Sequence, residues 1–172
     1  MLLKKLKYSF FSILYFFFKK IQSLYYKSLY ERYRYNYEID STFRFNGIDI
    51  IFHGEGVIKI GSKTYMGNRS SIGAVKGQKV LIGKNCSISH NVKIYTSNRK
   101  PEDIINARKQ VNYQKGDVVI GDNCWIGANV FINQGVSLGN NVVVGANSVV
   151  TKKFPSNVVI AGCPAKIIKS VD

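Results

Sequence analysis

The residues between 120 and 150 constrain the fold more than any other stretch. Branched aliphatics stand at Ile120, Ile126, Ile132, Leu138, Val144 and Val150, six residues apart without a slip. Gly follows at 121, 127, 139 and 145, and a small or β-branched residue sits four places after each aliphatic: Cys124, Val130, Val136, Val142 and Ser148. An α-helix repeats every 3.6 residues and a strand every two, so a strict six belongs to neither. Hexapeptide repeats are the signature of a parallel β-helix. Each unit supplies one short flat face and one turn. Three units make a coil, and the aliphatics stack into a ladder down the axis. Gly and Asn are expected at the corners, because both tolerate left-handed backbone conformations.

The same rhythm runs through Ile60-Gly61, Met66-Gly67, Ile72-Gly73, Ile82-Gly83, Ile88 and Ile94. Ile72 and Ile82 are ten residues apart, which predicts a short insertion near Lys76-Gly77. The register breaks again over 95–117, a long polar loop with one Pro. Long loops thrown out of a regular scaffold tend to carry function. Phe154-Pro155 ends the regular coils, and the Lys-rich tail folds back as the cap a solenoid end needs. The count predicts five or six coils. Cys86 and Cys124 take the small inward position and read as core fillers. Cys163 lies in a C-terminal loop. Three cysteines without metal-ligand spacing give no sign of a metal site or an oxidising compartment.

Residues 1–40 are a different material: aromatic, basic, and free of Gly and Pro. We divide the chain into this helical arm and a β-helix domain over 41–172. The uncharged run from Tyr8 to Phe18 is shorter than the roughly 20 residues needed to span a bilayer. Lys4, Lys5 and Lys7 precede it, Lys19 and Lys20 follow it, and Arg32 and Arg34 lie beyond. Such a pattern suits an amphipathic helix in the headgroup region of an anionic membrane, with contact through residues 1–34. The alternative is packing on its own β-helix or on a second subunit. No small-residue cleavage site follows Phe18, which argues against a signal peptide. The formal charge of +15 points to anionic partners. No nucleic-acid-binding module accompanies it, so no nucleic-acid partner is expected.

The Ile-Gly hexads, WIGANV at 125–130, GANSVVTK at 145–152 and AGCPAKII at 161–168 resemble, as an ordered set, the hexapeptide-repeat (left-handed β-helix) acyltransferases. The likeness is to the maltose and galactoside O-acetyltransferase type and its relatives in surface-polysaccharide biosynthesis. It implies an all-β, left-handed parallel β-helix with a short C-terminal cap. It also implies a homotrimer with sites between subunits, and acetyl-coenzyme A as acyl donor without a metal. The residues it carries over for the donor are Ala128, Ala146, Thr151, Lys152 and Lys169. Small side chains at 128 and 146 let a pantetheine arm lie close to the backbone. Lys166 adds charge for the phosphates. Trp125, the single Trp, opens its hexad at an outward position, where the family places an aromatic beside the acceptor.

Acyl transfer to a hydroxyl needs a general base, and His53 and His90 are the two histidines. Galactoside-type enzymes carry the base in a Thr-x-His motif at the mouth of the long loop. Here IYTSNRKP at 94–101 puts Asn98 or Arg99 there instead. Arg keeps its proton in proteins, so this pair is expected to position the acceptor. His90, in ISHNV at 88–92, resembles the segment that holds the catalytic His in UDP-sugar acyltransferases of the lipid A type, and it is the expected base. His53, in the first coil, reads as structural. The carboxylate that would orient the imidazole stays open among Glu102, Asp103, Asp117 and Asp122. The expected activity is acetyl-CoA-dependent O-acetylation of a sugar or lipid-linked glycan in capsule, O-antigen or exopolysaccharide synthesis. It is expected in the cytoplasm, including the inner face of the cell membrane. N-acetylation of an amino sugar and an inactive hexapeptide scaffold are the alternatives. Zinc hydratases on this coil need three His ligands, one more than the chain has.

Overall fold

A computed structural model describes residues 2–106 and 112–171, with side chains described from residue 8 onward. The side chains of Lys4, Lys5 and Lys7, and residues 107–111 of the long loop, lie outside the described residues. The chain forms two compact units, residues 1–36 and 37–172.

The first unit is one helix, α1 (Leu2–Asn36), 35 residues long. With no Gly or Pro, nothing in the sequence interrupts it. Arg34 in its last turn favours the negative end of the helix dipole. No helix among the described residues is long and apolar enough to cross a membrane.

The second unit is a parallel β-helix of five coils and part of a sixth. Its first face stacks Glu38–Ile39, Val57–Ile60, Lys79–Ile82, Val118–Ile120 and Ser137–Leu138, with Phe154 bridging to Leu138. Its second face stacks Arg44–Asn46, Tyr65–Gly67, Ser87–Ile88, Trp125–Ile126, Val143–Val144 and Val158–Gly162. Its third stacks Ile51–His53, Ser71–Gly73, Lys93–Tyr95, Phe131–Ile132 and Val149–Val150. The register puts ladder residue on ladder residue, as in Ile60–Ile82–Ile120–Leu138 on the first face. Those four, and Met66, Ile72, Ile88, Ile94, Ile126, Ile132, Val144 and Val150, are buried. The positions four residues on are buried too, including Cys86 and Cys124, except Lys76 and Asn98 where the two excursions leave. Both thiols donate to corner carbonyls, Cys86 to Gly121 at 3.1 Å and Cys124 to Gly139 at 3.3 Å. All three cysteines are free.

At the corners, Asn and Gly divide the work that the sequence assigns to them jointly. Asn85, Asn91, Asn123, Asn129, Asn141 and Asn147 take the left-handed conformation, with φ between 55° and 59°. Their amides ladder from coil to coil, Asn85 donating to Asn123, Asn123 to Asn141, and Asn141 to Asn157. The glycines of the Ile-Gly pairs serve close stacking instead. A Cβ on Gly121 would lie 2.6 Å from the backbone of Gly139, and one on Gly61 2.7 Å from Gly83.

Two excursions leave the prism, both at the edge between the third and first faces. The first, 75–78, turns back between Ala74 and Lys79. The second is more ordered than its polar composition predicts. It holds an antiparallel hairpin, Ser97–Arg99 with Tyr113–Lys115, and a helical turn, α2 (Pro101–Ile105). The chain re-enters at Val118, paired with Val80, so the long excursion leaves the rung order unchanged. The cap is Ala165–Ser170, antiparallel to Val158–Gly162.

Candidate active site

The edge between the second and third faces gathers three of the expected site residues. Two places after the ladder residues Met66, Ile88, Ile126 and Val144 stand Asn68, His90, Ala128 and Ala146. Backbone bonds join these turns: Asn91 N–H to Asn68 O at 2.8 Å, Asn129 to His90 at 3.0 Å, and Asn147 to Ala128 at 2.9 Å. The column therefore climbs one rung, about 4.8 Å, per residue. His90 is exposed at the rim of a groove of about 640 Å³ lined by Ile48, Asn68, Arg69, Asn91 and Asn129. Its Nδ1 accepts the backbone N–H of Asn68 at 3.1 Å. Gly67 leaves the room, since a Cβ there would lie 2.7 Å from that nitrogen. A neutral imidazole whose Nδ1 accepts carries its proton on Nε2.

This contact belongs to a ladder of caps. On the edge between the first and second faces, Asp122 caps the N–H of Lys84 at 2.9 Å, Asn140 that of Asp122 at 2.8 Å, and Ser156 that of Asn140 at 2.9 Å. On the His90 edge, Asn68 caps Ile48 at 3.0 Å and His90 caps Asn68. There the ladder stops. Ala128 and Ala146 have no side-chain acceptor, and no described residue accepts the N–H of His90, Ala128 or Ala146. This row of open donors is not among the features expected from the sequence, although the second position after each ladder residue, read down the chain, spells it out.

The other expected residues lie elsewhere. Asn98 docks the hairpin root onto the prism, donating to Asn133 and, at 3.0 Å, to Gln134, which itself reaches Gln114 at 3.2 Å. Arg99 is exposed beside it, paired with Tyr113. Thr151 and Lys152 follow Val150 at this same edge, between the third and first faces, and are exposed. The ammonium of Lys152 sits 5.5 Å from the Phe154 ring centre. His53, Gly73 and Tyr95 stack on this side of the third face, with the His53 and Tyr95 rings 6.0 Å apart. Trp125 stands outward on the second face, 57% exposed, and Lys166 and Lys169 are exposed on the capping strand beyond that face. Among the described residues no hydrogen bond joins Asn98 or Arg99 to His90. One chain thus splits the expected residues between two edges, the second face at Trp125, and the cap at Lys166 and Lys169.

The open question of the orienting carboxylate narrows. Asp117 accepts the N–H of Lys79 at 2.8 Å, and Asp122 that of Lys84. Asp103 is buried within the excursion, where it accepts the backbone N–H and the side-chain amide of Asn112 at 2.7 and 2.9 Å. Among the described residues, no hydrogen bond joins any of these three to the imidazole of its own chain. The neighbouring Cys86 side chain, against which Cys124 keeps its proton, and then burial push the Cys124 thiol far above the ordinary range. No group of His, Cys, Asp and Glu among the described residues is arranged to hold a metal ion.

A family model described as the hexapeptide repeat of succinyl-transferase matches residues 117–152. The chain is 31% identical to a maltose O-acetyltransferase of known structure from Clostridium difficile 630, over 76% of this chain and 71% of that one, with a TM-score of 0.59. It is 26% identical to a hexapeptide-repeat acetyltransferase from Vibrio cholerae O1 biovar eltor, solved with acetyl coenzyme A, over 83% and 76%, with a TM-score of 0.61. It is 43% identical to the polysialic acid O-acetyltransferase of Escherichia coli O1:K1 / APEC, over 67% of this chain and 39% of that protein. The chain spans about half the length of the curated relatives it matches.

Proposed function

Because the chain belongs to the hexapeptide-repeat acyltransferase family, we propose that it transfers an acetyl group from acetyl-coenzyme A to a sugar hydroxyl in surface-polysaccharide synthesis. The observation that carries this is the interrupted cap ladder. Past His90 the edge presents open N–H groups at His90, Ala128 and Ala146, with only methyl side chains at the last two. A pantetheine arm, with amide carbonyls along its length, fits such a row. Lys152, Lys166 and Lys169 then supply charge to its phosphates, and Thr151 lies beside Lys152. Trp125 borders the acceptor, with Asn98 and Arg99 positioning it.

In the transfer, the acceptor hydroxyl oxygen attacks the thioester carbonyl, its proton passes to a base, and the coenzyme A sulfur leaves and takes up a proton. An N–H of the open row stabilises the oxyanion. His90 stands at the end of that row and is the proposed base. To serve through Nε2, its ring must release the Asn68 N–H and carry its own proton on Nδ1. Catalytic hydrogen bonds often form only in the loaded site. The same contact favours a second reading, in which His90 is an edge cap and another group takes the proton.

Separating the two takes a residue that caps but is not a base. Asn fills this role at Asn68 and Asn140. His90→Asn should keep the melting temperature and lower kcat/KM at least about 100-fold if His90 is the base. Full turnover by His90→Asn would make it a cap.

Of the donor residues, Ala128 and Ala146 lie on one edge, Thr151 and Lys152 on another, and Lys166 and Lys169 on the cap, which supports a homotrimer whose sites each combine edges of two neighbours, closed by three-fold symmetry. We place the protein in the cytoplasm, where residues 1–34 contact the inner face of the membrane and bring it to lipid-linked glycan acceptors.

A further inference from the structure

Helix α1 leaves an unusual amount of apolar surface open. Tyr8, Phe10, Ile13 and Phe16 are 78, 62, 68 and 66% exposed, and Phe11, Phe17, Phe18, Ile21 and Leu24 are exposed as well. At 3.6 residues per turn the polar residues Ser9, Ser12, Lys19, Lys20, Ser23 and Lys27 fall on one stripe, broken only by Phe16. Apolar side chains take more than half of the remaining circumference over residues 8–25. The run from Tyr8 to Phe18 is about 16 Å long as helix, against about 30 Å of bilayer hydrocarbon. It is too short to cross and long enough to lie down.

We propose that α1 lies in the plane of an anionic lipid bilayer, its apolar arc among the acyl chains and its Ser9–Lys27 stripe toward water. Charge selects the partner. Residues 1–36 hold Lys4, Lys5, Lys7, Lys19, Lys20, Lys27, Arg32 and Arg34 against Glu31 alone. A second copy of this helix would bring like charges together, whereas anionic headgroups neutralise them. Lys19 and Lys20 also lie on the border of the apolar arc, where their stems reach the headgroup plane. The inference rests on the membrane contact proposed above and is independent of the transfer chemistry, so its failure leaves that chemistry standing.

The test uses the full chain with vesicles of phosphatidylcholine alone or mixed with phosphatidylglycerol, separated by flotation at low and high salt. The protein should float with the mixed vesicles, less at high salt, and stay behind with phosphatidylcholine. Lys19→Glu with Lys20→Glu should weaken partitioning at least about tenfold. Phe10→Gln with Phe17→Gln should do the same. Neither pair should change the melting temperature of the coil. Failure to float, or flotation indifferent to both pairs, overturns the inference. So does a fall in lipid-free mass, by light scattering, in the Phe10→Gln and Phe17→Gln variant without vesicle binding by the parent, which would assign the arc to contact between copies.

Discussion

Gly121 and Asn141 illustrate how little freedom single positions have at a corner of this prism. Adding a methyl at Gly121 puts a carbon 2.6 Å from the stacked Gly139 backbone, and backbone cannot rotate aside. Gly121→Ala should cost about 1–3 kcal/mol, read from the denaturant midpoint. Asn141 combines φ of 57° with a 2.7 Å bond to Asn157. Asn141→Ala loses both and should cost about 1–2 kcal/mol, with Asn141→Gly milder because only Ala resists the left-handed conformation. Thiol chemistry reads the same architecture. An alkylating reagent should label Cys163 alone in the native protein, since Cys86 and Cys124 are buried and bonded to carbonyls. Labelling of either buried thiol at the rate of Cys163 would contradict the packing.

At the scale of elements, the hexads were fully legible. Ile60 through Val150 needed only their spacing, because a side chain that points inward once per face repeats by six whatever its neighbours are. The excursion was not legible. Ser97–Arg99 and Tyr113–Lys115 lack the alternating apolar residues by which strands are recognised, and what fixes them is polar: Asn98 against Asn133, 35 residues away. Asn98→Ala should therefore speed amide exchange in the hairpin and leave the rungs at Ile94 and Ile120 protected. The candidate site was half legible. The family resemblance named His90, Ala128 and Ala146, but the capture of Nδ1 by the Asn68 N–H depends on where an imidazole swings across a glycine.

At the scale of the molecule, the division of the proposed site residues His90 and Lys152 between two edges has a direct test. His90→Asn and Lys152→Ala subunits, each inactive or impaired alone, should regain activity when denatured together and refolded. Random assembly of equal amounts leaves about a quarter of sites with both edges intact. No recovery would mean that each chain builds its site alone. The two excursions carry a different consequence. Both leave at one edge and return to the rung they would have joined anyway. Descendants of this sequence can gain or lose whole segments there without disturbing inherited stacking, while the ladder tolerates only exchange of like for like. Divergence should thus be written in length at one edge and in identity everywhere else.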